Sequence, residues 1–342
     1  MPPVFSHSRL SSFENCPKQF HFRYVLKIER ETESIEAFLG KRVHEVLERL
    51  YLFVREGRVP SLAKVVQRFH ANWQEQFAPD RVSITRSENP PQLYREIGER
   101  CLRNHYRRHY PFDADDTVGI EERVIFPLDE AGEYKMQGIV DRIARARDGV
   151  LEVHDYKTGA RVPTQRRLDE DRQLALYELG VRRRFGETGP VRLVWHYLQA
   201  GHTLTSSRSP EQLAELRART IEGIERVLRE ERFAPKPGPL CGWCEYQALC
   251  PAFAGERAAA EAPPALDAAE ALTPAAPGMG LGPLDAATAL DAAQPAAPEA
   301  EAPAGASASF RAAPPPPAPH ALLPSAAAPA GPPVVQLPLF EG

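Results

Sequence analysis

The chain has 342 residues, of which 43% are hydrophobic and 34 are proline, and its formal net charge is −4. From about residue 258 onward it consists mostly of Ala and Pro with few aromatic residues, which excludes a second packed core. After residue 256 there are eight acidic and two basic residues, so this tail carries −6 and the preceding part carries +2. We therefore predict a folded domain over residues 1–255, slightly basic and suited to a polyanionic partner, and a disordered tail over residues 256–342.

The sequence also restricts the cellular compartment. No apolar run approaches the length of a membrane span, and the N-terminus MPPVFSHSRL lacks the charged-then-apolar pattern of a secretory signal. These features predict a cytoplasmic protein with no membrane partner. In such a reducing compartment, the five cysteines are interpreted as thiols or metal ligands rather than as disulfides.

The first predicted helix covers residues 6–24, with Leu10 and Phe13 at helical spacing and Ser8 as the expected N-cap. Pro17 should break or restart this helix directly after Cys16. Taken by itself, Cys16 is interpreted as a small buried residue.

Three further helices are predicted at residues 36–55, 61–77 and 91–110. His44 lies beside the apolar stripe of the first of them, where a single histidine is usually a satisfied core or boundary residue. Arginines of the third helix either bind phosphates or solvate a helix face. Cys101 belongs to no spacing pattern, and we interpret it as a structural thiol.

Residues 117–128 predict a strand, and residues 137–159 predict two strands joined by a tight turn at Asp148-Gly149. The strand 117–128 carries two adjacent acids, Glu121 and Glu122.

The predicted hairpin carries the residues with the most specific chemistry. Asp141 lies in its first strand, while Asp155 and Lys157 lie two apart in the second and therefore point to one face. Two carboxylates that are brought together repel each other unless a cation lies between them, and such oxygen ligands suit Mg²⁺ or Mn²⁺. A nearby ammonium group can orient a water or stabilise charge on a phosphate under attack. The alternative is a surface hairpin with ordinary charges.

A helix is predicted over residues 165–184. Four polar residues repeat along one side of it: Arg166, Glu170, Gln173 and Tyr177. This polar stripe either faces the site, where Arg166 is a candidate for a substrate contact, or belongs to an amphipathic surface helix. A strand at 191–198 and a helix at 210–232 follow.

Three cysteines form a C-x2-C-x5-C pattern near the end of the predicted domain: Cys241, Cys244 and Cys250. Two intervening residues allow the first pair of sulfurs to converge on one metal. A redox pair or unrelated thiols are the alternatives, but the third cysteine and the lack of a thioredoxin-like βαβ pattern argue against both.

Several of these segments resemble motifs of one family. The segment LEVHDYKTG at 151–159 resembles the D/E-x-K-T-G element of PD-(D/E)XK nucleases, particularly the RecB-like branch. The segments GKRVH at 40–44 and QLALY at 173–177 fit the G-x-x-x-H and Q-x-x-x-Y elements of that branch. Val140 stands where the superfamily name has Pro.

The resemblance implies an α/β restriction-endonuclease-like core, a central mixed sheet flanked by helices. It implies that His44, Asp141, Asp155 and the backbone carbonyl of Tyr156 hold Mg²⁺ or Mn²⁺, and that Lys157 positions or activates the attacking water. It also implies that Gln173 and Tyr177 help to hold the nucleic-acid substrate. In some relatives an acid from the region of Glu121-Glu122 also approaches the metal.

The segment S-x-S-x-L-x-x-F-x-x-C-P-x-x-F at 6–20 resembles the opening of RecB-like nucleases that carry an iron-sulfur cluster. One early and three late cysteines mark such nucleases, which are similar to AddB and CRISPR-associated RecB-like proteins. The resemblance therefore implies that Cys16, Cys241, Cys244 and Cys250 hold a [4Fe-4S] cluster that clips the first helix to the last segment. Ligand geometry alone leaves a structural Zn²⁺ open.

The function implied is a metal-dependent DNA exonuclease that acts on single-stranded DNA or DNA ends in repair or recombination. The alternatives are a catalytically silent iron-sulfur DNA-binding or scaffold module, and a nuclease subunit of a helicase-nuclease or CRISPR-processing complex. A helicase partner is considered because no G-x-x-x-x-G-K-S/T loop occurs in the chain.

The C-terminal peptide QLPLF resembles the Q-L-x-L-F motif by which bacterial replication and repair proteins bind the sliding clamp. The residues predicted to bind this partner are Gln336, Leu337, Leu339 and Phe340.

Overall fold

The computed structural model describes residues 3–86 and 88–256 of the chain. They form an α/β fold in which a six-stranded mixed sheet is flanked by helices, as predicted. Within these residues, no helix has both the length and the apolar character needed to cross a membrane.

The order of elements follows the predicted pattern closely. The strands are β1 (Val4–Ser6), β2 (Glu33–Ser34), β3 (Val82–Ser83), β4 (Asp115–Pro127), β5 (Lys135–Ala146), β6 (Leu151–Lys157), β7 (Val191–Tyr197) and β8 (His202–Ser206). The α-helices are α1 (His7–Asn15), α2 (Pro17–Phe20), α3 (Ile35–Arg55), α4 (Leu62–Gln76), α5 (Pro91–His109), α6 (Gln165–Asp169), α7 (Gln173–Phe185) and α8 (Pro210–Arg229). A π-helical turn at His21–Val25 and short 3₁₀ segments at Pro239–Trp243, Gln247–Leu249 and Pro251–Glu256 complete the described chain.

Strand β5 organises the sheet. Strand β4 pairs with it antiparallel along its length, while β1 and β6 pair with the beginning and the end of β5, respectively. Strand β7 continues the sheet parallel to β6, and β8 pairs antiparallel with β7. Strand β6 therefore lies between two neighbours, and its side chains are positioned by contacts from both.

The β5–β6 hairpin forms as predicted. Gly149 adopts a φ of +83°, a left-handed conformation that glycine reaches without a Cβ penalty. The carboxylate of Asp148 accepts a hydrogen bond from the amide of Val150 at 3.0 Å, which stabilises the turn. The turn thereby fixes the pairing in which Arg142 is opposite His154 and Ile143 is opposite Val153.

Two hydrophobic cores form in the described residues. One contains side chains of the sheet together with α1, α7 and α8, and includes Val153, Leu174 and Trp195. The other is built mainly from α3, α4 and α5, and it includes Tyr156. Because Val153 and Tyr156 of β6 contribute to different cores, this strand is packed on both of its faces.

The predicted helix at residues 165–184 is wrong, because the structure divides it into α6 and α7. At the break, Asp171 Oδ1 accepts a hydrogen bond from the amide of Leu174 at 3.1 Å. Arg208 Nη2 donates to the carbonyls of Leu168 and Asp171 at 2.7 and 3.0 Å. These contacts satisfy backbone groups that a continuous helix would pair internally. Periodicity did not reveal them because Arg208 is distant in sequence.

The N-terminal segment differs from the prediction in its helix cap and in an additional short strand. Ser6, rather than Ser8, caps α1, since its Oγ accepts a hydrogen bond from the amide of Arg9 at 3.1 Å. The helix ends at Asn15 and a new one begins at Pro17, as predicted. The short strand β1, which was not predicted, joins this segment to β5.

Candidate metal and catalytic site

Strand β6 and helix α7 bring four predicted site residues into contact. The Nζ of Lys157 lies 3.1 Å from Oδ2 of Asp155 and 2.9 Å from Oε1 of Gln173. The amide group of Gln173 donates to Asp155 Oδ1 and to the hydroxyl of Tyr177, each at 3.3 Å. Gln173 and Tyr177 are one helical turn apart, so both side chains face the strand. The lysine is thus oriented by a carboxylate and an amide.

A second group of contacts joins α3 to the hairpin. The Nε2 of His44 lies 2.8 Å from the carbonyl oxygen of Tyr156, and its Nδ1 lies 3.5 Å from Oδ1 of Asp141. The other oxygen of Asp141 accepts a hydrogen bond from the amide of Tyr156 at 2.8 Å. Three of the predicted metal ligands, contributed by α3, β5 and β6, therefore meet at one point.

Glu121 of β4 joins this point. Ligand atoms of His44, Glu121 and Asp141 all lie within 4.8 Å of one another. Glu121 has a φ of +47°, a left-handed conformation that costs a residue with a Cβ about 1–2 kcal/mol. The pairs on either side of it place Glu121 across from Asp141 on the neighbouring strand. From the sequence, either Glu121 or Glu122 could approach the metal. The position of Glu121 opposite Asp141 on the neighbouring strand is the signal that distinguishes it from Glu122.

Burial does not alternate simply along this part of β5. Val140 and Ile143 belong to the same core although they are three positions apart, and Arg142 and Ala144 are buried as well. Asp141 lies in that interval. Because buried residues follow one another here, alternation in the sequence could not indicate the direction of the Asp141 side chain.

The electrostatics of the site indicate an excess of buried acid. Burial, and secondarily the charge of Asp141, raises the pKa of Glu121. Burial also raises the pKa of Asp155, opposed by Lys157 and increased by Asp141. Burial lowers the pKa of His44, but the adjacent acids outweigh it and raise the value to about 9. Burial acts to raise the pKa of Asp141, but His44 outweighs it and the net shift is downward. Carboxylates held this close stabilise a proton or a cation between them.

The donor set fits a hard divalent cation. Carboxylate oxygens, a backbone carbonyl and an imidazole are ligands that Mg²⁺ or Mn²⁺ accepts. The Oδ2 atom of Asp155 is buried and, in the described part of the chain, accepts no hydrogen bond. This oxygen can therefore still bind a metal ion, although the Nζ of Lys157 lies nearby.

Arg166 lies on α6, on the other side of the helix break from Gln173. Its guanidinium forms an exposed ion pair with Glu170 at 3.1 Å. The predicted continuous stripe from Arg166 to Tyr177 is therefore interrupted, and a substrate contact by Arg166 stays a prediction.

The four patterned cysteines line one cavity of about 300 Å³. Backbone amides donate to two of the sulfurs, from Lys236 to Cys16 at 3.5 Å and from Gly238 to Cys241 at 3.3 Å. The first of these bonds joins residues that are 220 positions apart. Cys101 is fully buried elsewhere, in the core of α3, α4 and α5, where burial raises its pKa to about 12, as expected for a structural thiol.

The cysteine-bearing segments are joined by other contacts as well. Glu245 accepts hydrogen bonds from Gln19 and Arg23, of which the contact with Arg23 is a largely buried ion pair. The hydroxyl of Tyr246 donates to the carbonyl of Ile28 at 3.1 Å. The last described segment is therefore attached to the first helices by polar contacts around the cavity. The predicted clamp-binding residues of the C-terminus lie outside the described residues.

A mixed sheet that brings an acid of one strand beside an acid-x-lysine element of the next defines a class of metal-dependent phosphodiester hydrolases. The sequence model of the PD-(D/E)XK nuclease superfamily matches residues 4–251. The chain belongs to this superfamily, whose nucleases use divalent metal ions and act on nucleic acid.

Solved structures provide two comparisons. A candidate exonuclease of Eubacterium rectale shares 14% identity over 71% of this chain and 87% of its own, with a TM-score of 0.42. The protein SSO0001 shares 17% identity over 63% of this chain and 94% of its own, with a TM-score of 0.29. Comparison with curated protein sequences yields no significant match.

A small residue in β5 is required for the site to close. A Cβ added to Gly138 would lie 2.3 Å from Cε1 of Tyr177, so the tyrosine ring must move. We expect Gly138→Ala to lower the free energy of unfolding by about 1–3 kcal/mol and to reduce nuclease activity several-fold, because the Tyr177 hydroxyl would leave Gln173. Thermal unfolding and a cleavage assay measure the two effects.

The matched strand variant is Gly119→Ala, whose added Cβ would lie 3.3 Å from a terminal methyl of Ile143. It should change the free energy of unfolding and the cleavage rate less than Gly138→Ala does. Wild-type stability and activity in Gly138→Ala would contradict this packing.

Proposed function

We propose that the chain is a RecB-like deoxyribonuclease that hydrolyses phosphodiesters in single-stranded DNA or at DNA ends, as an exonuclease in repair or recombination. The observation that carries the proposal is the position of Lys157, whose Nζ is held between Asp155 and Gln173 beside the His44, Glu121 and Asp141 cluster. A surface hairpin with ordinary charges would have no reason to bury these groups together.

In this proposal, His44, Asp141, Asp155 and the Tyr156 carbonyl hold Mg²⁺ or Mn²⁺, and Glu121 is an added ligand candidate. Bound there, the ion supplies Lewis acidity toward a phosphate oxygen and lowers the pKa of a coordinated water. The crowding of buried carboxylates supports this assignment, because a cation offsets both the burial and the repulsion from Asp141 that raise the pKa values of Asp155 and Glu121.

The remaining residues have positioning roles in the proposal. The Lys157 ammonium orients the attacking water or stabilises charge that develops on the phosphate. Gln173 fixes the lysine by accepting its hydrogen bond at 2.9 Å, and Tyr177 contacts the Gln173 amide from the next turn of α7. Arg166 is exposed, so its guanidinium is accessible to a DNA phosphate.

The direct experiment uses the purified full-length chain and end-labelled single-stranded DNA. We expect cleavage with Mn²⁺ or Mg²⁺ and none with excess chelator, with products that shorten from one end. Blunt duplex DNA and RNA of the same sequence serve as comparison substrates. Failure to cleave unwound single-stranded DNA with either metal would reject the proposal for the isolated chain. Cleavage that appears only after a helicase is added would assign the chain as a helicase-dependent subunit.

We further propose that Cys16, Cys241, Cys244 and Cys250 hold a [4Fe-4S] cluster that closes a nuclease domain spanning residues 1–255. All four cysteines line one cavity, and backbone amides donate to Cys16 and Cys241. Such amide donors are suited to the thiolate ligands of an iron-sulfur cluster, and this supports the assignment.

For the C-terminus, we propose from sequence alone that Gln336, Leu337, Leu339 and Phe340 bind a bacterial sliding clamp. An extended peptide can insert Leu and Phe side chains into a preformed apolar pocket. We expect deletion of residues 336–340 to abolish clamp binding measured by surface plasmon resonance, with cleavage of single-stranded DNA unchanged. Equal clamp affinities of the full-length and shortened chains would reject this partner.

A further inference from the structure

A second group of buried imidazoles lies behind the proposed nuclease centre. Strand alternation directs Asp155 and Lys157 to one side of β6 and His154 and Tyr156 to the other. On that other side, His196 of β7 is in register with Tyr156, and the end of α5 brings two more histidines against it. These imidazoles have no part in the nuclease chemistry proposed above.

Three of the histidines converge. His105 and His109 are one turn apart on α5, so both rings project from one face of the helix. One ring nitrogen from each of His105, His109 and His196 lies within 4.8 Å of the other two. The ring centroids are 4.4 Å apart for His105 and His109, and 5.2 and 5.1 Å from these to His196.

Hydrogen bonds orient two of the three rings. The hydroxyl of Tyr51 lies 2.9 Å from Nε2 of His105. The ring of His196 lies between Nδ1 of His154 at 2.9 Å and Oγ1 of Thr203 at 3.3 Å. Metal-binding histidines commonly use one ring nitrogen for such a partner and the other for the metal, an arrangement that fits His105. Both ring nitrogens of His196 have partners, so a metal there replaces one of these two hydrogen bonds, of which the contact with Thr203 is the longer.

His109 differs from these two because its Nε2 is buried and makes no hydrogen bond within the described residues. A buried polar nitrogen without a partner destabilises the folded state, because it loses its hydrogen bond to water and gains none in return. Burial also lowers the pKa of His109 to about 4, so its ring is neutral at pH 7 and presents a lone pair. If the three histidines only filled the core, this nitrogen would be buried without a hydrogen bond for no evident reason.

One buried cation, Arg142, lies beside this group, and both of its terminal nitrogens are bound by the carboxylate of Asp115, at 2.5 and 3.2 Å. Glu152 lies 3.2 Å from His154 and is itself paired with Arg192. The carboxylate of Asp115 therefore offsets the guanidinium charge that a bound metal ion would meet.

We propose that His105, His109 and His196 form a site for one Zn²⁺-class transition-metal ion, separate from the nuclease centre. Neutral imidazoles suit Zn²⁺, Ni²⁺ and Cu²⁺, whereas Mg²⁺ and Mn²⁺ favour oxygen ligands. The site joins the end of α5 to β7. It also supports the ring of Tyr156, which lies 5.2 Å from that of His105 and 5.1 Å from that of His196. Its role is therefore to brace the strand whose Tyr156 carbonyl belongs to the proposed nuclease centre.

The test compares zinc retained by full-length wild type, His109→Gln and His109→Phe after zinc loading and desalting, with elemental analysis of each. Zinc held at the cysteines or at the acidic centre is common to all three chains, so the difference isolates the histidine site. We expect wild type to retain one more zinc per chain than either variant. Zinc should also raise the melting temperature of wild type more than that of the variants. The matched variant His70→Gln removes a helix histidine that pairs with Glu99, and it should behave as wild type.

Equal zinc contents in wild type and both His109 variants would overturn the proposal. In that case the histidines are a polar core, and His109→Phe should raise the melting temperature without zinc by removing an unsatisfied nitrogen. The two variants together keep the test decisive if one of them folds poorly. Cleavage of DNA with Mn²⁺ is assayed separately, so a failed nuclease assay leaves the zinc result unaffected.

Discussion

Replacing Lys157 by alanine should reduce the rate of single-stranded DNA cleavage with Mn²⁺ by about 10²–10³-fold. The ammonium group lies 3.1 Å from Asp155 and 2.9 Å from Gln173, where it can act on a water or on a phosphate bound at the acidic cluster. The substitution removes this group and leaves His44, Glu121 and Asp141 in place. Initial cleavage rates at saturating DNA measure the effect, and calorimetric Mn²⁺ binding should be largely retained.

Lys64→Ala is the matched control for this experiment. Lys64 is exposed on α4, so its loss removes a positive charge without altering the site. We expect the control to cleave at close to the wild-type rate. If Lys157→Ala also cleaves at the wild-type rate, Lys157 has no catalytic role. If the variant loses Mn²⁺ binding as well as cleavage, its lysine maintains the metal site instead of assisting the reaction.

Replacing Cys16 by serine should remove most of the iron from anaerobically purified protein and lower its melting temperature by on the order of 10 °C. Cys16 is the ligand that the proposed cluster requires from the N-terminal segment, while Cys241, Cys244 and Cys250 come from the other end of the domain. Loss of the cluster would leave these two segments joined only through contacts such as the Arg23–Glu245 ion pair. Iron analysis, visible absorbance and thermal unfolding measure the change.

Cys101→Ala provides the control, because Cys101 is fully buried among α3, α4 and α5, away from the cysteine-lined cavity. It should retain wild-type iron while losing about 1 kcal/mol from a smaller core side chain. Wild-type iron content in Cys16→Ser would show that Cys16 is not a ligand. Zinc in place of iron in the wild-type protein would identify a structural zinc site.

The hairpin could be predicted from residues that are close in sequence. The dipeptide Asp148-Gly149 predicted a tight turn, and the structure has this turn, with Gly149 at a φ of +83°. The two-residue spacing of Asp155 and Lys157 placed their side chains on one face, where they form an ion pair. In a helix, residues four positions apart lie on one face, and this spacing predicted that Gln173 and Tyr177 lie side by side. In the structure the two side chains form a hydrogen bond near the lysine. Each of these predictions depends on residues that are close in sequence.

Other features depend on segments that are distant in sequence. The break between α6 and α7 depends on Arg208, which donates to carbonyls 40 and 37 positions earlier. Glu121 was distinguished from Glu122 only by its left-handed backbone and its position across from Asp141. The convergence of His105 and His109 with His196 was not predicted, because a histidine in an apolar pattern is normally interpreted as a core residue.

By itself, the sequence determined the α/β pattern, the β5–β6 hairpin, the lysine and acids that identify the superfamily, and the pairing of early and late cysteines as a hypothesis. The family resemblance already placed His44 and the Tyr156 carbonyl at one site, and the structure brings them within 2.8 Å. Only the tertiary structure decided that Glu121, rather than Glu122, joins Asp141, and that a separate group of imidazoles lies behind β6. The physical reason is that side-chain spacing within one helix or strand follows from backbone geometry. The distance between side chains of different elements follows from sheet register and packing, which the whole chain sets together.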